Sequence, residues 1–316
     1  MRRVLTIGEA LIDFIPEKKG VALKDVGSFM KAPGGAPANV AAGVARLGGT
    51  SGFIGMLGED AFGDFLQSTL ADYGVITDYI LRTKDANTGL AFVSLDDQGE
   101  RDFSFYRNPS ADMLLKDSDV KESWFKEGDI LHFCSVDLID APVRGAHIKA
   151  ISTVHKNNGI ISFDPNVRLP LWDDTRECRE AILSFLPLSD VVKVSEDELL
   201  FITGTEEKAA GIDFLFQGQV SHVIYTKGDK GAEWWTRKGL LAEDAGKAVK
   251  ALDTTGAGDA FVSAILFKIA TCKEGLEKID ENKALDFLGF ANTAAARTVT
   301  KPGAMGALPT MEEIKK

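Results

Sequence analysis

The sequence contains no apolar run approaching the ~20 residues that a membrane-spanning helix needs. Its three cysteines, Cys134, Cys178 and Cys272, form no CxxC pair and no Cys/His cluster. That argues against a disulfide framework and a structural zinc site, and it suits a reducing compartment. Lys and Arg are nowhere concentrated, and the formal net charge is −11. Nucleic acid and anionic membranes are therefore not expected partners, although a local pocket can still hold a nucleotide. Two common nucleotide signatures are absent as well. There is no GxxxxGKS/T phosphate loop, and the first strand runs into Gly8-Glu9-Ala10 instead of GxGxxG. Glu9 and Asp13 interrupt the apolar stretch after Arg2-Arg3, so no secretory signal is expected, and a cytoplasmic location is. No internal repeat or low-complexity linker divides the chain.

What is present is a core-forming composition, 45% hydrophobic, with alternating strand and helix patterns. Apolar strand-like runs occur at 4–8, 51–57, 130–135, 160–164, 191–195 and 222–226. Helical patterns fall at 62–73, 142–156, 176–186 and 196–202, and an Ala-rich helix is expected to stop near Leu47-Gly48-Gly49. This alternation predicts a mostly parallel sheet covered by helices. Residues 88–95 and 101–107 flank Asp97-Gln98-Gly99-Glu100, a hairpin signal. The stretch from Phe14 to Lys31 has no helical period and reads as irregular. Both segments look inserted, which predicts a small β lid on an α/β body.

Asp253-Thr254-Thr255-Gly256-Ala257-Gly258-Asp259 precedes an apolar helix-like run. A helix start offers unpaired N–H groups and partial positive charge. Gly256, Ala257 and Gly258 are small enough to let an anion approach those groups. Asp259 is a poor phosphate ligand but a sensible proton acceptor for a hydroxyl attacking phosphorus. A second Gly-rich turn, Gly34-Gly35, precedes Asn39, whose amide can both donate to and accept from sugar hydroxyls. Each motif alone is also compatible with an ordinary turn before a helix. Together, one suits a polyol and the other a polyphosphate. Further polar groups fall where strands end: Glu9 and Asp13; Asp164, Asn166 and Arg168; Ser195 and Glu198; Thr226-Lys227-Gly228. Ligands of open α/β sheets bind at such ends.

Pro33-Gly34-Gly35-Ala36-Pro37-Ala38-Asn39-Val40-Ala41 together with Asp253 to Asp259 resembles the two signatures of the ribokinase/PfkB carbohydrate kinase family. Within that family the chain is most similar to the fructokinases, on the evidence of residues 8–14, Phe105 to Met113 and Asp164 to Trp172. The resemblance runs from the first strand to Ala307-Leu308-Pro309-Thr310. It implies a single ribokinase-like domain over 1–316, a three-layer α/β/α sandwich with lid segments at about 14–32 and 86–109. It implies Asp259 as general base and the 256–258 backbone as anion hole. By the same resemblance, Asp13, Gly34, Gly35, Asn39, Arg107 and Arg168 face the substrate. Ser195, Thr226, Gly228 and Asn292 lie near ATP, and Glu198 organises Mg²⁺ through water.

Two departures qualify this. Ser195 stands where the family usually has Asn, which weakens direct ordering of metal waters there. Ala307 stands where many relatives offer a side-chain oxygen to a monovalent cation, leaving Asp253, Thr255 and Gly303 as candidate K⁺ ligands. The implied activity is phosphorylation of D-fructose by ATP, in a homodimer joined through the lid. The alternatives are a 2-keto-3-deoxygluconate kinase, with Arg107 and Arg168 facing a carboxylate, and a catalytically silent sugar-binding relative.

Overall fold

The computed structural model describes residues 1–17, 20–95, 101–272 and 274–316. In chain order the strands are β1 (Val4–Ile7), β2 (Leu11–Pro16), β3 (Phe29–Gly34), β4 (Ser51–Gly58), β5 (Ile80–Thr83), β6 (Leu90–Leu95) and β7 (Arg101–Tyr106). Then follow β8 (Ile130–Cys134), β9 (Ile160–Asp164), β10 (Val191–Ser195), β11 (His222–Thr226), β12 (Ala232–Thr236) and β13 (Gly239–Asp244). The α-helices are α1 (Ala36–Arg46), α2 (Ala61–Asp72), α3 (Pro142–Lys156), α4 (Thr175–Phe185) and α5 (Glu196–Thr203). The rest are α6 (Lys208–Leu215), α7 (Ala257–Thr271), α8 (Glu281–Thr298) and α9 (Met311–Lys315).

A nine-stranded sheet has the order β13-β12-β11-β10-β9-β8-β1-β4-β5. Pairing is parallel from β5 across to β11 and antiparallel at β12 and β13. β1, β4, β8 and β9 are buried at every position. That is why they read as continuous apolar runs: a parallel sheet is covered on both faces. Leu5, Leu131 and Val192 pack against α3, α4 and α5 on one side. Val4, Ile130 and Val191 pack against α1, α7 and α8 on the other. The fold is thus the expected three-layer α/β/α sandwich, with α7 buried from Ala260 to Leu266.

The second sheet, of four strands, has the order β3-β2-β6-β7. β2 and β6 run parallel, while the two outer pairs are antiparallel. Phe14 stacks on Phe92 with centroids 4.7 Å apart, and Phe29 and Phe62 meet them edge-on. Phe62 belongs to α2, so this aromatic cluster fixes the small sheet to the body. The expectation of an irregular 14–32 segment is corrected here. It contains the end of β2 and the start of β3, whose pairing with each other and with distant β6 overrides their weak local pattern. The expected turn at 97–100 lies outside the described residues.

Candidate active site

Helix α1 begins immediately after the small sheet. Its N-cap, Gly35, has φ +101°, and a Cβ there would lie 2.4 Å from the Glu9 carbonyl oxygen, so the position needs glycine. The Glu9 carboxylate turns back and accepts a hydrogen bond from the Ala36 N–H at 2.9 Å. Asp13 on β2 lies against Gly34, so closely that a Cβ at 34 would sit 2.3 Å from its carboxylate oxygen. One turn into α1, Asn39 is buried, and its Nδ2 donates to the Asp259 carboxylate at 2.7 Å. These two residues are 220 positions apart in sequence, and their contact joins the two glycine-rich helix starts.

Asp259 sits in the first turn of α7. The N-cap, Gly256, is left-handed at φ +76°, and a Cβ there would meet the Ala304 Cα at 2.9 Å. Gly256 has no side chain with which to cap this helix. The Ala257 N–H bonds the Thr254 carbonyl at 3.3 Å, so the opening of the helix is drawn into a tight turn. Burial raises the pKa of Asp259, while the Asn39 hydrogen bond and the charges of Arg168 and Lys193 oppose the rise. A carboxylate whose pKa is raised by burial is a better proton acceptor than one in water.

A cavity of about 510 Å³ opens beside this helix start. Lys193 lines it from the middle of β10, Ser195, Thr226 and Gly228 at and just beyond the ends of β10 and β11, and Ala257 and Gly258 at α7. Val249, Ala296 and Val299 give it an apolar wall suited to a flat heterocycle. Asn292 also lines it, but its amide is held by Asp244, donating at 2.7 Å. That bond engages one N–H of the amide while the residue still borders the cavity.

Beneath the cavity lies a group that the sequence reading did not single out. Lys193, in the middle of the apolar β10, donates to Asp164 at 3.1 Å and to Glu198 at 3.4 Å. Burial would lower the lysine pKa, but these two carboxylates raise it, so the ammonium stays charged. Burial pushes Asp164 up to about 7. For Glu198 burial acts in the same direction, yet Lys193 and the N–H groups of Ser195 and Val167 hold it below the usual range. Both Glu198 oxygens accept these internal bonds, from Ser195 at 2.8 Å and Val167 at 3.1 Å. Ser195 returns the contact as N-cap of α5, accepting from the Glu198 N–H. The described residues contain no cluster of acidic, His or Cys side chains shaped as a metal cage.

Arg107 is held from within the protein as well. Its side chain is buried, and its guanidinium pairs with Asp112 and with Asp137, the latter at 2.6 Å. Burial alone would lower its pKa, but Asp112 and Asp137 hold it above the ordinary arginine value. Burial likewise pushes Glu9 up to about 7 and Asp137 well above the carboxylate range. Four buried polar atoms in this region have no hydrogen-bond partner among the described residues: Asn39 Oδ1, Glu9 Oε2, Arg107 Nε and Asp137 Oδ2. Such orphans around one helix start are what a polyol's hydroxyls would satisfy. Glu9 and Asp137 carried only a strand-end signal in the sequence, or none. Arg168, by contrast, is exposed after the left-handed turn at Asn166 (φ +42°), and it reaches Asp259 through charge alone.

Asp253 ties together the three candidate K⁺ residues. Its carboxylate accepts from the Thr255 N–H at 3.0 Å, the Thr255 hydroxyl at 2.5 Å and the Gly303 N–H at 2.9 Å. Ala307 is buried close by in sequence and offers no oxygen beyond its backbone. The carboxylate and the hydroxyl are oxygen donors of the kind a hard cation takes.

An open parallel sheet with a capless helix start, a buried carboxylate on its first turn and a heterocycle-sized cavity defines a nucleotide-using phosphotransferase. The profile of the pfkB family carbohydrate kinases matches residues 1–311, and the chain belongs to that family. "Probable fructokinase-5" of Arabidopsis thaliana is 45% identical over 314 residues, which span 99% of this chain and 96% of that protein. The fructokinase of Xylella fastidiosa with bound ATP superposes with a TM-score of 0.91 at 37% identity, covering 99% of this chain and 97% of that one. A double mutant of the Vibrio cholerae O395 fructokinase, bound to fructose, ADP and potassium ion, gives a TM-score of 0.88 at 38% identity, covering 100% and 97%.

Proposed function

We propose that this chain transfers the terminal phosphoryl group of ATP to the primary O6 hydroxyl of D-fructose. The observation that carries the reading is the Asn39–Asp259 hydrogen bond of 2.7 Å, which sets the base at the edge of the sugar-side loop. The hydroxyl proton passes to Asp259, the O6–phosphorus bond forms, and the bond from phosphorus to the bridging oxygen breaks as ADP leaves. The start of α7 receives the transferred charge. Asp13, Gly34, Gly35 and Asn39 hold the polyol, and Thr226 and Gly228 border the nucleotide. Little covalent work falls to the protein, and positioning supplies most of the rate.

The committed state of Arg107 favours a neutral polyol over a sugar acid. Its charge is already matched by Asp112 and Asp137, so it has no cation to spare for a 2-keto-3-deoxygluconate carboxylate. The four-stranded sheet acts as the lid in this reading. Met30 on β3 and Tyr106 on β7 are exposed on its two edge strands, which suits a second copy pairing there. Light scattering at micromolar concentration is expected to give a dimer mass, and a monomer would remove the lid pairing. A cytoplasmic setting remains part of the proposal. Among the described residues no helix is long and apolar enough to cross a membrane.

The decisive assay is ADP formation from Mg·ATP with fructose, glucose, mannose, ribose, adenosine and 2-keto-3-deoxygluconate. Fructose is expected to give the highest kcat/KM. Preference for the keto acid would overturn the fructose assignment while keeping the chemistry of Asp259. Silence with every acceptor would favour a sugar-binding regulator.

A further inference from the structure

We propose that the groove between α7, α8 and α9 is a regulatory site for a small anion with an aromatic body, and that filling it weakens nucleotide binding on the other side of α8. The groove has a volume of about 670 Å³, within the range of small-molecule sites. Its floor is apolar. Phe267 and Phe290 stack with centroids 5.9 Å apart, and Met311 and Ile314 close it from α9. Gly289 keeps the floor open from the middle of α8. Glycine is a poor residue for a helix interior, and what it leaves here is room: among the described residues only the Asp244 carboxylate, at 3.5 Å, would lie within 4 Å of a Cβ added there.

The charges of the groove select an anion. Lys247, Lys268 and Lys315 line it with Asp244 and Asp286. Both carboxylates are already engaged, Asp286 by Lys268 at 2.5 Å and Asp244 by the Asn292 amide at 2.7 Å. Among the described residues, Lys247 and Lys315 take part in no ion pair. Lysines beside apolar surface are ordinary by themselves; the connection to the second cavity sets these apart. Asp286, Gly289, Phe290 and Thr293 face the groove, whereas Asn292, Ala295 and Ala296 line the nucleotide cavity. The two stripes lie about 120° apart around one helix. Two links cross between them. Asp244 of the groove wall holds Asn292 of the cavity wall, and Lys247 borders both spaces. An anion in the groove draws the Lys247 ammonium away from the nucleotide and repels Asp244, the partner of Asn292. Anion and nucleotide are thereby opposed, and linkage makes the opposition reciprocal.

The site stands apart from the proposed function, while the coupling rests on the cavity being the nucleotide site. Calorimetric titration with Mg·ATP alone therefore comes first; failure to bind would remove the nucleotide reading and the coupling with it. Titration with naphthalene-2-sulfonate then tests the groove. One saturable site per chain is expected, at least tenfold weaker for neutral 2-naphthol and for Lys315→Glu. Lys315 is exposed on α9, so this substitution leaves the fold intact. With rising Mg·ATP the apparent Kd of the probe should increase two- to tenfold and then level off. Displacement without a plateau would put the probe in the nucleotide cavity itself and overturn the proposal. Binding that Lys315→Glu leaves unchanged, or that bound Mg·ATP does not weaken, would overturn it equally.

Discussion

Helices α1 and α7 both start after a glycine with positive φ, and both starts face the site, but their N-termini are filled differently. At α1 a protein carboxylate is already present: Glu9 accepts the Ala36 N–H, and Pro37 in the first turn has no N–H to offer. At α7 the N-cap, Gly256, supplies no side-chain cap, and Lys193 adds a cation beside the helix start. A helix terminus attracts an anion only if none is bound there already. The occupied start therefore suits neutral hydroxyls, and the open one suits phosphate. Glycine content alone does not separate a sugar loop from a phosphate loop; what covers the amides does.

Several substitutions bear on this contrast. The largest effect is expected from Asp259→Asn, which leaves the open helix start intact but removes the proton acceptor. Turnover should fall by ~10²–10⁴-fold while sugar affinity, measured by titration, stays within a few-fold. Near-normal turnover would remove Asp259 from its role. Next is Gly258→Ala. Its Cβ meets nothing closer than the Lys193 ammonium at 3.9 Å, so melting temperature should hold. Mg·ATP affinity should drop by about tenfold, in keeping with a phosphate held by charge-assisted bonds at that helix start. Unchanged affinity would mean the α7 start is not the phosphate site.

Gly35→Ala should behave in the opposite manner. The new Cβ meets the Glu9 carbonyl at 2.4 Å in a backbone conformation that disfavours L-residues. Stability should fall by at least the ~1–2 kcal/mol of the left-handed penalty, read as a lower melting temperature with ATP affinity kept. The smallest effect concerns the carboxylate that fills α1. Burial raises Glu9 from 4.5 to about 7, so the folded state binds that proton more tightly than the unfolded chain does. The stability this contributes is complete below the unfolded pKa and is lost as pH rises through about 7. Glu9→Gln should flatten the decline of melting temperature over that window, and an unaltered slope would place the titration elsewhere.

The large sheet was legible because parallel strands covered on both faces must be apolar throughout, as β1, β8 and β9 are. The edge strand β5 carries no such run: only Ile80 of its four residues is fully buried. The small sheet was half legible. β6 and β7 announce themselves by alternation, whereas β2 and β3 depend on the ring cluster of Phe14, Phe29, Phe62 and Phe92, which forms only in the folded chain. In the site, Asn39 and Asp259 were visible from their motifs, though nothing local foretold that they would bond each other. Arg107 was expected to face substrate; its pairing with Asp112 and Asp137 depends on strands that are distant in sequence. Lys193 was hidden inside an apolar strand, where the one discordant charge was itself the available signal.

The order of the two half-sites along the chain has a consequence for how the protein comes into being. Glu9, Asp13, Gly34, Gly35 and Asn39 emerge from the ribosome early. The residues that border the cavity, from Lys193 to Val299, emerge late. A partly synthesised chain has neither the cradle nor the carboxylate that completes the site. Unfinished or truncated copies are therefore silent toward ATP, and the Asn39–Asp259 contact is made only when the last third of the molecule closes onto the first.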